Sequence, residues 1–447
     1  MSESNYYPIG IQSFEKLIRE KFLYVDKTEF VYRLTRKSGY YFLSRPRRFG
    51  KSLLLSTFEA YFLGKRELFK GLAIDRHDDV GWEEYPVLHL DLNAKDYTQE
   101  DSSLVTHLDS YLREWETRYE IIPEVPDVDT RFSKVVETAY ARTGRQVVVL
   151  IDEYDRPLLQ NIGKKRRERQ DKFRNTLKSF YGVLKSCDSY IKFAFITGVT
   201  KFGKVSVFSD LNNLRDITLL REFNAICGIS ESELTENFRE GIIELGGDYG
   251  LTYDETCARL KSKYDGYRFT GWKSEGIYNP FSVLNALNNG EFGNYWFHTG
   301  TPTMLIELLR NRNVELTELE GVKRTPNALT GLDPDFKDPI PLLFQSGYLT
   351  IKRFIQKGRL EFYELGFPNE EVQDGFIEAL FPFYVNRKEE TESASLIAEC
   401  VEALEERRVG RFMDILNLFW PGFPMEKERM IISTRTVSAM SCTSFAV

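Results

Sequence analysis

The sequence predicts an α/β protein built on a parallel, doubly wound sheet, with a mostly helical region after it. Three observations predict this. An apolar, strand-like run, Tyr40-Tyr41-Phe42-Leu43, breaks into a short basic loop that ends in Gly50-Lys51-Ser52 and opens an apolar-periodic helix. Further on, Val147-Val148-Val149-Leu150-Ile151 lacks polar alternation, the pattern of a strand buried on both faces, and acids follow at its end. Strand-like and helix-like segments alternate through the first half of the chain, as crossover helices between parallel strands require.

Residues 1–39 read as an N-terminal extension with an amphipathic segment over Phe14–Phe22 and the run Tyr24-Val25-Asp26-Lys27-Thr28. The loop helix is expected from about Ser52 to Leu63, and Val87-Leu88-His89-Leu90-Asp91-Leu92 reads as a strand. Helical periodicity covers Ser103–Tyr119 and Phe132–Arg142. After the Asp152 strand come a charged amphipathic helix over Arg166–Lys185, a strand over Ile191–Gly198, and a last strand expected at Asp216-Ile217-Thr218-Leu219. Helices follow over Glu231–Leu245, Tyr253–Tyr264, Pro280–Asn288 and Pro302–Arg310, then a small α/β element near Leu342–Leu365. The expected domains are residues 1–225, 226–365 and 366–447.

Strand, basic loop, Gly-Lys-Ser and helix make the layout of a phosphate-binding loop. Backbone N–H groups and a helix N-terminus face the phosphates, the lysine reaches the β and γ oxygens, and the hydroxyl ligates Mg²⁺. Arg47, Arg48, Phe49, Gly50, Lys51, Ser52 and Leu53 are therefore the candidate ATP-binding residues. Arg45, followed by Pro46, stands where the full pattern has its first glycine. Ligands of open α/β sheets sit at the carboxyl ends of strands, which is where Asp152 and Glu153 arrive. Asp152 joins Ser52 as the candidate metal pair, and Glu153 is the candidate base that orients the attacking water. Phosphoryl transfer asks for charge neutralisation and alignment, so Lys51, Ser52, Asp152 and Glu153 are a sufficient minimal kit. Thr197, at a strand end, either senses the γ-phosphate or water, or satisfies a backbone group there.

Composition limits the alternatives. At 447 residues the chain can hold two or three domains, and with 42% hydrophobic and 28% charged residues it has the make-up of a soluble globular protein. A net charge of −7 argues against nucleic-acid binding over the whole surface. No uninterrupted apolar run is long enough to span a membrane, and the N-terminus lacks a signal-peptide layout. Five scattered cysteines and four scattered histidines show no metal-ligand spacing; reduced thiols in a cytoplasmic protein are expected.

A strand between the loop strand and the acidic strand, together with a glutamate after the aspartate, resembles the additional-strand class of P-loop NTPases. The resemblance sharpens over ordered motifs: Tyr24-Val25-Asp26-Lys27-Thr28, Arg45-Pro46-Arg47-Arg48-Phe49-Gly50-Lys51-Ser52, Ile151-Asp152-Glu153-Tyr154-Asp155 and Thr197-Gly198-Val199-Thr200-Lys201-Phe202. Leu211–Thr218, Tyr264–Phe269, Tyr278–Ser282 and Phe344–Leu349 continue it. Over about residues 5–370 the chain resembles the bacterial AAA-ATPase-like family, in which the loop commonly lacks its first glycine. The resemblance implies ATP and Mg²⁺ as ligands, hydrolysis of the ATP, a helical lid that changes position with nucleotide state, and an unknown macromolecular partner.

Arg47, Arg48, Lys201, Arg215 and Arg221 are candidates for a charge-stabilising finger, though each on its own reads better as a solvated surface cation. The run Lys164-Lys165-Arg166-Arg167 could touch nucleic acid, and Tyr267, Phe269, Tyr278 and Phe281 could stack with it, but a solvated helix start and core packing are the simpler readings. Leu365–Val372 resembles the start of the PD-(D/E)xK nuclease-like module that follows this ATPase. After Pro368, however, Lys388 and Lys427 lack an acid two residues before them, so a truncated module without nuclease activity is expected.

Overall fold

The computed structural model describes residues 6–123, 125–163, 166–202, 207–208, 211–271, 274–300, 319–332 and 338–384, with scattered residues from 399 to 411. The chain divides into two compact units, residues 1–300 with 321–371, and residues 301–320 with 372–447. The sheet and the helical region after it both lie in the first unit.

Two short helices, α1 (Phe14–Arg19) and α2 (Thr28–Thr35), precede the first strand, β1 (Gly39–Ser44). Helix α1 closes earlier than the amphipathic pattern suggests, because Lys21 turns the chain in the left-handed region at φ 58°. Helix α3 (Lys51–Phe62) follows the basic loop, then β2 (Val87–Asp91), α4 (Ser103–Arg118), α5 (Val128–Thr143) and β3 (Val147–Asp152). One turn, α6 (Arg156–Leu159), and the long α7 (Arg167–Ser186) lead to β4 (Ile191–Gly198) and the short β5 (Leu214–Asp216).

All six residues of β3 are buried, as its unbroken apolar run requires. Helices α4 and α5 bury one stripe each, Leu104, Leu108, Leu112 and Trp115 on one and Phe132, Val135, Val136 and Ala139 on the other. The five strands are parallel in the order β2-β3-β4-β1-β5, so β4 stands between the loop strand and the acidic strand. Register sets Leu43 beside Thr197 and Asp91 beside Asp152, which brings the strand ends to one edge. The last strand lies a little before its expected place. The Asp216 carboxylate accepts from Thr218 N at 2.9 Å and turns the chain, and the Thr218 hydroxyl oxygen instead accepts from Ser44 N at 3.0 Å.

The helical region comprises α8 (Glu231–Asn237), α9 (Arg239–Tyr249), α10 (Tyr253–Tyr264), α11 (Pro280–Asn289) and α12 (Tyr295–Gly300). Capping boxes start α8 (Ser230 with Glu233) and α10 (Thr252 with Glu255), and the Asn279 side chain caps α11 ahead of Pro280. Leu234, Phe238, Ile242, Leu260, Tyr264 and Val283 form its core. Strand β6 (Val322–Arg324), single-turn α13 (Pro326–Leu329) and α14 (Ile340–Gln345) precede β7 (Thr350–Lys357) and β8 (Leu360–Gly366). These strands form an antiparallel sheet in the order β6-β8-β7, and α15 (Glu370–Tyr384) follows. The expected helix over residues 302–310, and Lys388 and Lys427 of the nuclease-like reading, lie outside the described residues.

Glu371 is fully buried and accepts from Ser282 Oγ at 2.7 Å and from Trp296 N at 2.7 Å. Burial pushes its carboxyl up from 4.5 to about 7, against the pull of those two donors. The folded state thus takes up this proton first. That stability is full below about pH 4.5 and is lost as pH rises through about 7. Relative to Glu371→Gln, the wild-type protein is expected to lose unfolding midpoint between pH 5 and pH 8. A difference that stays flat across that range would contradict the assignment.

Candidate phosphate-binding site

Strand β1 ends at Ser44, and α3 begins after a six-residue loop, at Lys51. Two residues of the intervening loop, Arg48 (φ 66°) and Gly50 (φ 91°), are left-handed. Gly50 is the N-cap of α3 and offers no side chain to its first turn. The opening N–H groups of a twelve-residue helix therefore keep their positive end clear of any side-chain cap.

The Lys51 ammonium is 4% exposed and donates to the carbonyls of Arg45 (3.1 Å) and Pro46 (3.2 Å). It also stands 3.2 Å from Glu153 Oε1. Glu153 lies just past β3 with a left-handed backbone, φ 52°, a conformation that costs a non-glycine residue of the order of 1 kcal/mol and is found most often at working sites. Burial by itself would raise the Glu153 carboxyl, but Lys51 first, then Arg47 and Arg156, hold it below its ordinary range.

Asp152 ends β3, 3% exposed. Its Oδ1 accepts from Thr197 Oγ1 at 2.5 Å and from Glu153 N at 3.0 Å, and its carboxylate also meets the Ser52 hydroxyl. Burial, then the Glu153 charge, push this carboxyl up, opposed by the Ser52 and Thr197 hydroxyls. A buried aspartate and a half-buried glutamate in sequence, beside a serine hydroxyl, make an all-oxygen, negatively charged donor set. That chemistry fits a hard divalent cation such as Mg²⁺, with Ser52 and Asp152 as the residues to hold it.

Lys51, Ser52, Asp152, Glu153 and Thr197 thus converge from β1, β3 and β4 on the N-terminus of α3. The side chains of Arg48 and Phe49 face elsewhere. Arg48 lies over the Phe281 ring at 4.9 Å, and Phe49 is buried edge-on to Tyr267 and Phe269. Leu53 lines a small, mainly apolar cleft, open to solvent, together with Pro8, Tyr24, Val25, Gly50 and Leu284. Lys27, also on that cleft, is buried against Glu233 at 2.6 Å and the Ala225 carbonyl at 2.8 Å.

Arg45 does not face phosphate. Its guanidinium, 1% exposed, donates to the carbonyls of Ser44 (2.9 Å), Thr218 (2.8 Å) and Phe223 (3.0 Å) and stacks over Phe269 at 4.0 Å. Burial pushes its pKa down to about 10, so it stays charged at neutral pH. Of the finger candidates, Lys201 pairs with Asp216 at 2.6 Å, Arg215 pairs with Glu222 at 2.7 Å, and Arg221 is exposed. Tyr267, Phe269 and Tyr278 are buried, which makes them core rather than a stacking surface. Lys164 and Lys165 lie outside the described residues.

Sequence reasoning missed Asp155. This buried carboxylate accepts from Val199 N (3.2 Å), Thr200 N (2.6 Å) and Thr200 Oγ1 (2.6 Å), and so stitches the loop after β3 to the loop after β4. Burial, then the Glu153 charge, raise its pKa to about 6. Its signal was present: a third acid closely following Asp152 in a segment otherwise apolar.

The family model described as a predicted AAA-ATPase matches residues 8–208. An uncharacterized protein of the vnfD 5′ region of Azotobacter chroococcum mcd 1 is 38% identical over 387 residues, 85% of this chain and 70% of that protein. The chain belongs to the AAA-ATPase-like family. The matched span contains β1 to β4, and with them every side chain that converges on α3. Among the described residues of this AAA-ATPase-like protein, no helix is long and apolar enough to cross a membrane.

Arg45→Ala would strip the guanidinium from the Ser44 and Thr218 carbonyls and leave the Phe223 carbonyl only its long bond from Ile226 N (3.3 Å). The expected loss is at least about 3 kcal/mol of unfolding free energy, measured by denaturant titration. A loss below about 1 kcal/mol would show that Arg45 is not the peg under the loop.

Proposed function

We propose that the protein binds ATP with Mg²⁺ at the N-terminus of α3, hydrolyses it, and couples nucleotide state to the arrangement of the helical region. One observation carries the reading: a lysine, a serine hydroxyl and two strand-end acids meet at an uncapped helix start. Membership of the AAA-ATPase-like family supports nucleotide binding. The mainly apolar cleft lined by Gly50 and Leu53 is where this reading seats the base.

In this reading the amides opening α3 and the Lys51 ammonium take the β and γ oxygens, and Arg47 adds charge at the loop's outer side. A bound Mg²⁺ would neutralise phosphate charge between the Ser52 and Asp152 oxygens. Once Lys51 turns to phosphate, Glu153 is released to accept a hydrogen bond from the attacking water. Thr197 fixes the Asp152 carboxylate from below. The coupling rests on loop contacts: Arg48 reaches Phe281 of α11, and the Phe49 carbonyl accepts from Gly228 N at 3.1 Å.

A second reading, a nucleotide-gated scaffold or regulator with little turnover, draws on the Lys51–Glu153 ion pair, which keeps the candidate base engaged. Two variants separate the readings. Lys51→Ala removes a charge-assisted contact of about 1.5–3 kcal/mol, so ATP affinity is expected to fall about tenfold or more. Equal affinity in wild type and Lys51→Ala would overturn the binding site. Glu153→Gln is expected to bind ATP normally while turnover falls on the order of 10²-fold or more. Turnover unchanged in that variant would remove Glu153 from the chemistry, and none in wild type would favour the scaffold.

A further inference from the structure

We infer that Trp296 is a positioning residue for the phosphate loop, itself held by Glu371; this rests on the nucleotide-site reading above. The loop lacks its first glycine, and left-handed Arg48 is not a residue that adopts that conformation unaided. Something outside the loop must set its path. The Trp296 indole N–H, on a side chain 1% exposed, donates to the Arg47 carbonyl at 2.9 Å. A trans peptide points its C=O and its N–H in opposite directions. Holding the Arg47 carbonyl toward Trp296 therefore aims the Arg48 N–H to the other face of the loop.

The next brace repeats the geometry. Gly228 N donates to the Phe49 carbonyl at 3.1 Å, which by the same rule turns the Gly50 N–H away from Gly228. Among the described residues, neither the Arg48 nor the Gly50 N–H meets a protein acceptor. Two unpartnered amides beside the opening of α3 are donors of the kind that take an anion. Trp296 thus acts on phosphate through a peptide plane.

The brace is itself anchored. Trp296 N donates to Glu371 Oε1 at 2.7 Å, and Glu371 Oε2 accepts from Ser282 Oγ at 2.7 Å. The indole packs edge-on to Tyr267 (6.1 Å) and against Tyr348 (5.2 Å). Pro46 is wedged from the same side: a Cβ on Gly347 would lie 2.7 Å from its Cγ. Residues far along the chain from the loop thus fix the direction of its amides.

Hydrogen–deuterium exchange over residues 45–53, with and without ATP and Mg²⁺, tests this on wild type and Trp296→Phe, which keeps a ring but loses the donor. In the absence of nucleotide, loop amides in Trp296→Phe are expected to exchange at least tenfold faster, with β3 unchanged, and ATP affinity to fall about tenfold. Loop exchange and affinity equal to wild type would overturn the inference. The nucleotide-free comparison stands apart from the site reading, which fails instead if ATP and Mg²⁺ leave the wild-type loop unprotected. Should Trp296→Phe not fold, ¹⁵N-tryptophan-labelled wild type gives the same test. The Trp296 indole N–H is expected to exchange at least tenfold more slowly than an exposed indole, and exchange at the exposed rate would overturn the assignment.

Discussion

The Lys51 ammonium is the group on which the arrangement turns. A buried cation must keep its hydrogen bonds, and here two loop carbonyls and Glu153 supply them. Phosphate oxygens can replace those partners, so ligand binding is an exchange of acceptors around a fixed charge rather than the burial of a new one. In the proposed reading, the same exchange frees the Glu153 carboxylate to align a water. Parallel strands on either side of β4 make this possible, because they deliver the loop and the acids to one edge of the sheet.

The loop solves its missing glycine by support from below and outside. Arg45 drops its guanidinium beneath the turn and satisfies three backbone carbonyls, one of its own neighbour and two beyond β5. Above, Trp296, Gly228, Phe281 and Gly347 hold successive loop residues. A glycine-rich loop is permissive and adapts to its ligand. This one is built into its neighbours, and the proposed coupling would run through those contacts. The buried Glu371 carboxylate extends that joint from Trp296 to the first turn of α11.

Local pattern made much of this legible. The β-branched run ending in Asp152, the apolar strand before the basic loop, and the helical spacing of α4, α5 and α7 all read directly into elements, because burial on one face or two leaves its period in the sequence. Lys51, Ser52, Asp152, Glu153 and Thr197 were nameable from motif and strand-end position, and the fold brings them together. The inward turn of Arg45 was not legible, since its acceptors are carbonyls of Thr218 and Phe223, which carry no residue-type signal. Trp296 was missed for a like reason: its partner is the Arg47 carbonyl, far away in the chain. The last strand was placed slightly late because Asp216 spends its side chain on a turn.

The most direct measurement is a crystal structure of the protein grown with a non-hydrolysable ATP analogue and Mg²⁺. The account predicts a triphosphate against the amides opening α3, Lys51 moved from Glu153 onto its oxygens, and a metal bound between Ser52 and Asp152. A loop that stays closed on Glu153 at saturating analogue, or a nucleotide bound elsewhere on the sheet, would contradict it.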